Sequence, residues 1–120
     1  MNVLLAHEFR FEAAHRLPMV PPDHKCARLH GHSFKIELSI RGRVDEQTGW
    51  FIDYQALYDL WEPLHQELDH RYLNEVDGLA NPTSELLAKW IWDRVKPQLP
   101  PLCRVTIFET CVARCEYEGD

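Results

Sequence analysis

At 120 residues with 45% hydrophobic content, the chain is long enough for one domain with a core of its own and too short for two. Its formal net charge of -6 and scattered basic residues exclude the basic stripe that a nucleic-acid binder presents. No apolar run approaches the roughly 20 residues that a membrane span requires, and no secretory leader is recognisable at Met1-Asn2-Val3. Cys26, Cys103, Cys111 and Cys115 lack the spacing of a secreted disulfide framework, so a reducing cytoplasm is the expected setting.

Residues 1–120 contain no linker, repeat or low-complexity tract and read as one domain. In the first strand Leu5, His7, Phe9, Phe11, Ala13 and His15 share a face, because side chains alternate with period two. A long loop with Pro18, Pro21 and Pro22 follows, and such a loop inside a compact domain is usually functional. The second strand alternates again: His30, His32, Phe34, Ile36, Leu38 and Ile40 face one way, opposite Ser33, Lys35, Glu37, Ser39 and Arg41. Asp45 to Gly49 reads as a turn, and Asp53 as the N-cap of a helix with Leu57, Leu60, Trp61, Leu64 and Leu68 at helical spacing. Pro63 should kink that helix or split it in two. Thr83 caps a second helix whose stripe is Leu87, Trp90, Ile91 and Val95, ended by Lys96-Pro97. A third strand places Cys103, Val105, Ile107 and Glu109 on one face, and a last strand runs from about Val112 to Tyr117. The expected fold is α+β, a four-stranded antiparallel sheet with two helices on one face in the order ββααββ.

Histidine does not ordinarily continue an apolar face, and here three of them end such series. A His-x-His pair on a strand turns both rings of His30 and His32 to one side, and His15 from a neighbouring antiparallel strand can close a facial set. Three neutral imidazoles with a fourth position open is the ligand set of a catalytic zinc, and neutral ligands leave the ion a strong Lewis acid. Cys26 has two readings: a fourth ligand closing a structural zinc site, or a free thiol near a cation, available as base or nucleophile. The pair Cys111 and Cys115 lies in a strand-like segment where cysteine packs as a small hydrophobe. Asp69-His70 is a common surface pair, and equally a carboxylate able to orient an imidazole for proton transfer. Glu109 ends an apolar series with no obvious cationic partner, so a ligand with a guanidine-like edge would match its two oxygens.

These pieces, in this order, resemble the 6-pyruvoyl-tetrahydropterin synthase / 6-carboxy-tetrahydropterin synthase family of tunnelling-fold enzymes. The matching segments are Phe11-Glu12-Ala13-Ala14-His15-Arg16-Leu17, Cys26 with His30-Gly31-His32, Thr48-Gly49 with Asp53, Leu68-Asp69-His70 with Leu73-Asn74, Pro82-Thr83-Ser84-Glu85, and Glu109-Thr110. The resemblance implies that His15, His30 and His32 bind zinc, and that the substrate is 7,8-dihydroneopterin triphosphate. It implies Cys26 as general base, Asp69 and His70 as its proton relay, and Glu109 as anchor of the pterin's 2-amino-4-oxopyrimidine edge. Lys25, Arg28, Arg16 and Lys35 are candidates for the triphosphate. The short spacing from Cys26 to His30 resembles the bacterial branch that releases acetaldehyde and triphosphate to leave 6-carboxy-tetrahydropterin, a precursor of queuosine. The competing branch eliminates triphosphate and forms 6-pyruvoyl-tetrahydropterin. A non-enzymatic module stabilised by zinc, with Cys26 closing the site, is the reading from a different class. The resemblance further implies a homo-oligomer, trimeric rings stacked as a hexamer, with active sites at subunit boundaries.

Overall fold

The computed structural model describes residues 1–120. Two long antiparallel strands, β1 (Asn2–His15) and β2 (His30–Arg43), pair without a break from Asn2↔Arg43 to His15↔His30. They form one hairpin whose connection is the proline-rich loop. β2 pairs on its other side with β4 (Leu102–Phe108), which pairs with β5 (Arg114–Tyr117). The helices α1 (Tyr54–Leu68) and α2 (Ser84–Val95) lie on one face. Their buried residues, Leu57, Trp61, Leu64 and Leu68 on α1 and Leu87, Ala88, Trp90, Ile91 and Val95 on α2, meet Phe9, Phe11, Phe34, Ile36, Leu38 and Ile40 of the sheet. The face expected from alternation is the face that is buried, and the α+β class holds.

Four details differ from expectation. The sheet has five strands, not four, in the order β3-β1-β2-β4-β5, because Arg71–Tyr72 adds a short strand, β3, in parallel beside Ala13 and Ala14. Helix α1 runs unbroken through Pro63. The proline is exposed, so the Asp59 carbonyl that loses its donor can turn to water, while the buried stripe holds both halves on the sheet. Leu102, not Cys103, takes the core position on β4: Leu102 pairs with Ile40 and Arg104 with Ser39, so Cys103 is the extra residue of a bulge and the alternation changes phase there. The last strand starts at Arg114 rather than Val112.

Both expected caps are present: the Asp53 carboxylate accepts from Gln55 N, and the Thr83 hydroxyl accepts from Leu86 N. The Asp45 carboxylate closes the turn by accepting from Gln47 N and Thr48 N, and Gly49 supplies the left-handed φ of 78° that ends it. At the far end of the ribbon the tip of the Phe51 ring abuts Gly42 so closely that a Cβ there has no room.

Candidate metal and thiol site

The hairpin register decides the site. His15 stands directly opposite His30, and His32 opposite Ala13, so all three imidazoles emerge on one side at the loop end of the ribbon. Their ring centroids are 4.6, 4.8 and 5.1 Å apart, and one nitrogen from each lies within 4.8 Å of the others.

Two rings are locked by backbone carbonyls, which can only accept. His15 Nδ1 donates to Pro82 O at 2.9 Å, and His30 Nδ1 donates to Arg28 O at 2.7 Å. Each Nδ1 therefore carries the proton, and each Nε2 presents a lone pair. His15 is wholly buried, and its Nε2 has no hydrogen-bond partner. A buried, unpartnered lone pair facing two more imidazoles fits a metal ion that accepts nitrogen donors, zinc foremost. Burial, reinforced by the neighbouring imidazoles, holds His15 below its ordinary 6.5, and burial does the same for His32. Both are thereby biased toward the neutral form that a metal needs.

The same shifts set a pH dependence. Where a folded imidazole titrates below its unfolded value, the unfolded chain takes up protons first, so stability of the metal-free protein falls as pH drops through about 6.5. The urea midpoint in the presence of a chelator is expected to be lower at about pH 5 than at about pH 7.5. A flat midpoint across that range would contradict the burial of these rings.

Cys26 lies on a short 3-10 turn, Lys25–Ala27, whose N-cap is His24. The thiol belongs to a cleft of about 410 Å³ lined also by Leu17, Lys25, His30, His32, Glu109 and Thr110. It is not among the donors clustered within 4.8 Å of one another, which are the three imidazoles alone. Glu109 follows β4 directly, and its Oε1 lies 3.7 Å from His15 Nε2 and 3.8 Å from His32 Nε2. Glu109 thus borders the imidazole trio, with no lysine or arginine beside it.

Asp69 and His70 stand elsewhere. Asp69 Oδ1 accepts from Glu12 N at 2.9 Å, and Oδ2 accepts from His70 Nδ1 at 2.8 Å. The Glu12 amide first, then the His70 ring, hold the Asp69 carboxyl below the usual carboxylate range. His70 adopts a left-handed φ of 58°, which costs a non-glycine residue roughly 1–2 kcal/mol. Its amide donates to Glu12 O, and the β3 pairing follows directly, so the strain is held from both sides. His70 is exposed and lines a second cleft, of about 610 Å³, with Glu12, Ser33, Arg71 and Tyr72. Within one chain, the structure gathers Cys26, His30, His32 and Glu109 in one cleft and places His70 at another, which His32 also borders.

Of the four cations named for the triphosphate, only Lys25 lines the Cys26 cleft. Lys35 is on the outer face of the sheet, 3.4 Å from Glu8 and over the Phe108 ring. Two participants escaped the sequence reading. His65 Nε2 stands 3.5 Å from Asp69 Oδ2, a neighbour that the i,i+4 spacing on α1 could have revealed. The Pro82 carbonyl that orients His15 is a backbone group and leaves no signal in the sequence.

A central hairpin whose long loop carries the thiol, flanked by helices on one face and with a histidine trio at its end, is the arrangement that the resemblance to tunnelling-fold pterin enzymes implies. The chain belongs to the 6-pyruvoyl tetrahydropterin synthase family, whose model matches residues 4–120. It is 38% identical over 120 residues to the 6-carboxy-5,6,7,8-tetrahydropterin synthase of Synechocystis sp., covering 95% of this chain and 92% of that one. The dihydroneopterin monophosphate aldolase of Pyrococcus furiosus is 31% identical over 112 residues, covering 91% of each. The 6-pyruvoyl tetrahydropterin synthase of Caenorhabditis elegans superposes with a TM-score of 0.89 at 26% identity, covering 100% of this chain and 97% of that one.

Proposed function

We propose that this enzyme converts 7,8-dihydroneopterin triphosphate and one water to 6-carboxy-tetrahydropterin, releasing acetaldehyde and triphosphate, on the cytoplasmic route to queuosine and related 7-deazapurines. The observation that carries the reading is one cleft that a free thiol and a carboxylate share with His30 and His32, two of the three clustered imidazoles. The similarity to the Synechocystis synthase across nearly the whole of both chains supports the carboxy-forming branch. No helix is long and apolar enough to cross a membrane.

His15, His30 and His32 would hold zinc through their Nε2 atoms. Zinc, when bound, supplies Lewis acidity that makes protons beside the substrate's side-chain oxygens easier to remove. Glu109 would accept two hydrogen bonds from the 2-amino-4-oxopyrimidine edge and so set the pterin's orientation. Cys26, placed in the same cleft, would take a side-chain proton as thiolate. Asp69 would orient the His70 ring by accepting from Nδ1, leaving Nε2 to move a proton to or from the substrate. Lys25 would meet the leaving triphosphate.

Cys26 and His70 line different clefts, and the outer edge of β1 from Asn2 to Glu12 pairs with no strand. Unpaired edges of that length are normally covered. A homo-oligomer, a hexamer built as a dimer of trimers, would cover the edge and bring one copy's Asp69–His70 to another copy's Cys26.

Product analysis after incubating the zinc-loaded protein with 7,8-dihydroneopterin triphosphate tests the reading. Acetaldehyde and a 6-carboxy pterin in equal amounts are expected. A 6-pyruvoyl product without acetaldehyde would move the chain to the other branch.

A further inference from the structure

The thiol that the proposed reaction needs is carried by a loop with little regular structure, and its backbone is nevertheless fixed on both sides. Cys26 N–H donates to His24 Nδ1 at 3.0 Å, and Cys26 O accepts from Leu17 N at 2.7 Å. The second bond ties the outgoing limb of the loop to the residue that follows Arg16. What holds Arg16 is the side chain of Asn74. Asn74 Oδ1 accepts from Arg16 N at 3.0 Å, and Asn74 Nδ2 donates to Arg16 O at 2.8 Å.

These two bonds continue a ladder that the backbone cannot. β3 pairs in parallel with β1 at Ala13↔Arg71 and Ala14↔Tyr72. Immediately afterwards the chain curls into a 3-10 turn, Leu73–Glu75, and its peptide groups leave the sheet plane. A carboxamide offers an acceptor oxygen and, on the same side, a donor N–H, so Asn74 meets both backbone groups of Arg16 as a neighbouring strand residue would. Asn74 is half-buried, whereas Arg16 is exposed, so water would otherwise compete for both Arg16 groups.

We infer that Asn74 is a positioning residue for Cys26: by pairing with the Arg16 backbone it fixes Leu17, and through Leu17 the place of the thiol in the cleft. The inference rests on the reading of Cys26 as the reacting thiol. Asn74 Nδ2 also lies 3.4 Å from Ala80 O, a long contact near the segment that orients His15, but no Asn74 atom bonds a histidine side chain. His15 is fixed independently by Pro82 O and by its rung with His30. Loss of Asn74 should therefore loosen the thiol and spare the metal site, which general destabilisation would not do.

The test uses the full-length protein and Asn74→Ala and Asn74→Asp. The aspartate keeps the acceptor for Arg16 N–H but sets a carboxylate against Arg16 O, so at neutral pH it should behave like alanine. Zinc per chain, the rate of iodoacetamide alkylation at each cysteine by peptide mass spectrometry, and kcat and KM are measured. Zinc content should stay at the parent value. Alkylation should quicken about fivefold or more at Cys26 and not at Cys103, Cys111 or Cys115. The kcat should fall about 10- to 100-fold with KM within about twofold, the scale on which misplacing a reacting group costs rate. Unchanged alkylation at Cys26, equal quickening at all four thiols, or loss of zinc would overturn the inference. If neither variant folds, hydrogen exchange of the Arg16 and Leu17 amides in the parent decides: protection of both supports the chain of bonds from Asn74 to Cys26, and free exchange of either overturns it. A parent with no turnover would sink the proposed reaction, while the alkylation and exchange measurements would still decide the role of Asn74.

Discussion

Cys26→Ala is expected to keep its zinc and lose at least about a thousandfold in turnover of dihydroneopterin triphosphate, a loss of the size seen when a positioned proton acceptor is removed. The expectation rests on where the sulfur is not: three imidazoles form the donor cluster, and the Cys26 thiol is outside it, facing the cleft from the loop. If Cys26 were a fourth ligand, as in a structural site of one cysteine and three histidines, its removal would instead cost metal and with it the fold. Chelation separates the same two readings. A core built from Phe11, Phe34, Ile36, Leu38 and the two helix stripes does not depend on an ion, so the chelated protein should stay folded and become inactive. Unfolding on chelation, or zinc loss in the alanine variant, would return the chain to the structural-module class.

The second large effect is a recovery. Cys26→Ala and His70→Ala chains, each inactive alone, are expected to regain activity when unfolded together and refolded as a mixture. If each site takes its thiol from one copy and its imidazole from another, random assembly of equal amounts leaves about a quarter of the sites intact. If each chain built its whole site alone, every site in the mixture would carry one defect and nothing would return. The basis for expecting recovery is the separation of the two clefts, one holding Cys26 with Glu109 and the other holding His70 with Arg71 and Tyr72. Size-exclusion chromatography of the mixture confirms that the chains have assembled before activity is read.

The face that carries the three histidines was legible because strand periodicity is strict. Alternation alone turned His15, His30 and His32 inward, antiparallel pairing could bring their ends together, and the register does so at the loop. The same rule misled on β4, where a bulge at Cys103 advances the phase by one and gives the core position to Leu102. Pro63 misled for the opposite reason: a local rule predicted a break, and burial of Trp61, Leu64 and Leu68 overrode it. Strand β3 carries no periodic signal because two residues have none. It exists because Glu12 binds Asp69 and His70 through both its backbone groups, a tertiary arrangement between residues 57 positions apart. Asn74 stood inside a matched motif, yet its purpose lies in a partner that only the folded chain brings near.

The length of the ribbon has a thermodynamic consequence. With a radius of gyration of 15.7 Å and a long axis of 58 Å, the chain is more extended than the about 13.6 Å expected of a compact domain of its length. The excess comes from the end where β1 and β2 run past the helices, with Leu4 exposed and Val3 and Leu5 only partly covered. In the proposed assembly, folding and association become one equilibrium governed by mass action, so the temperature at which the protein melts would rise with its own concentration. At low copy number the enzyme would then be short of both subunit partners and stability, and its working concentration would be a property that the fold itself sets.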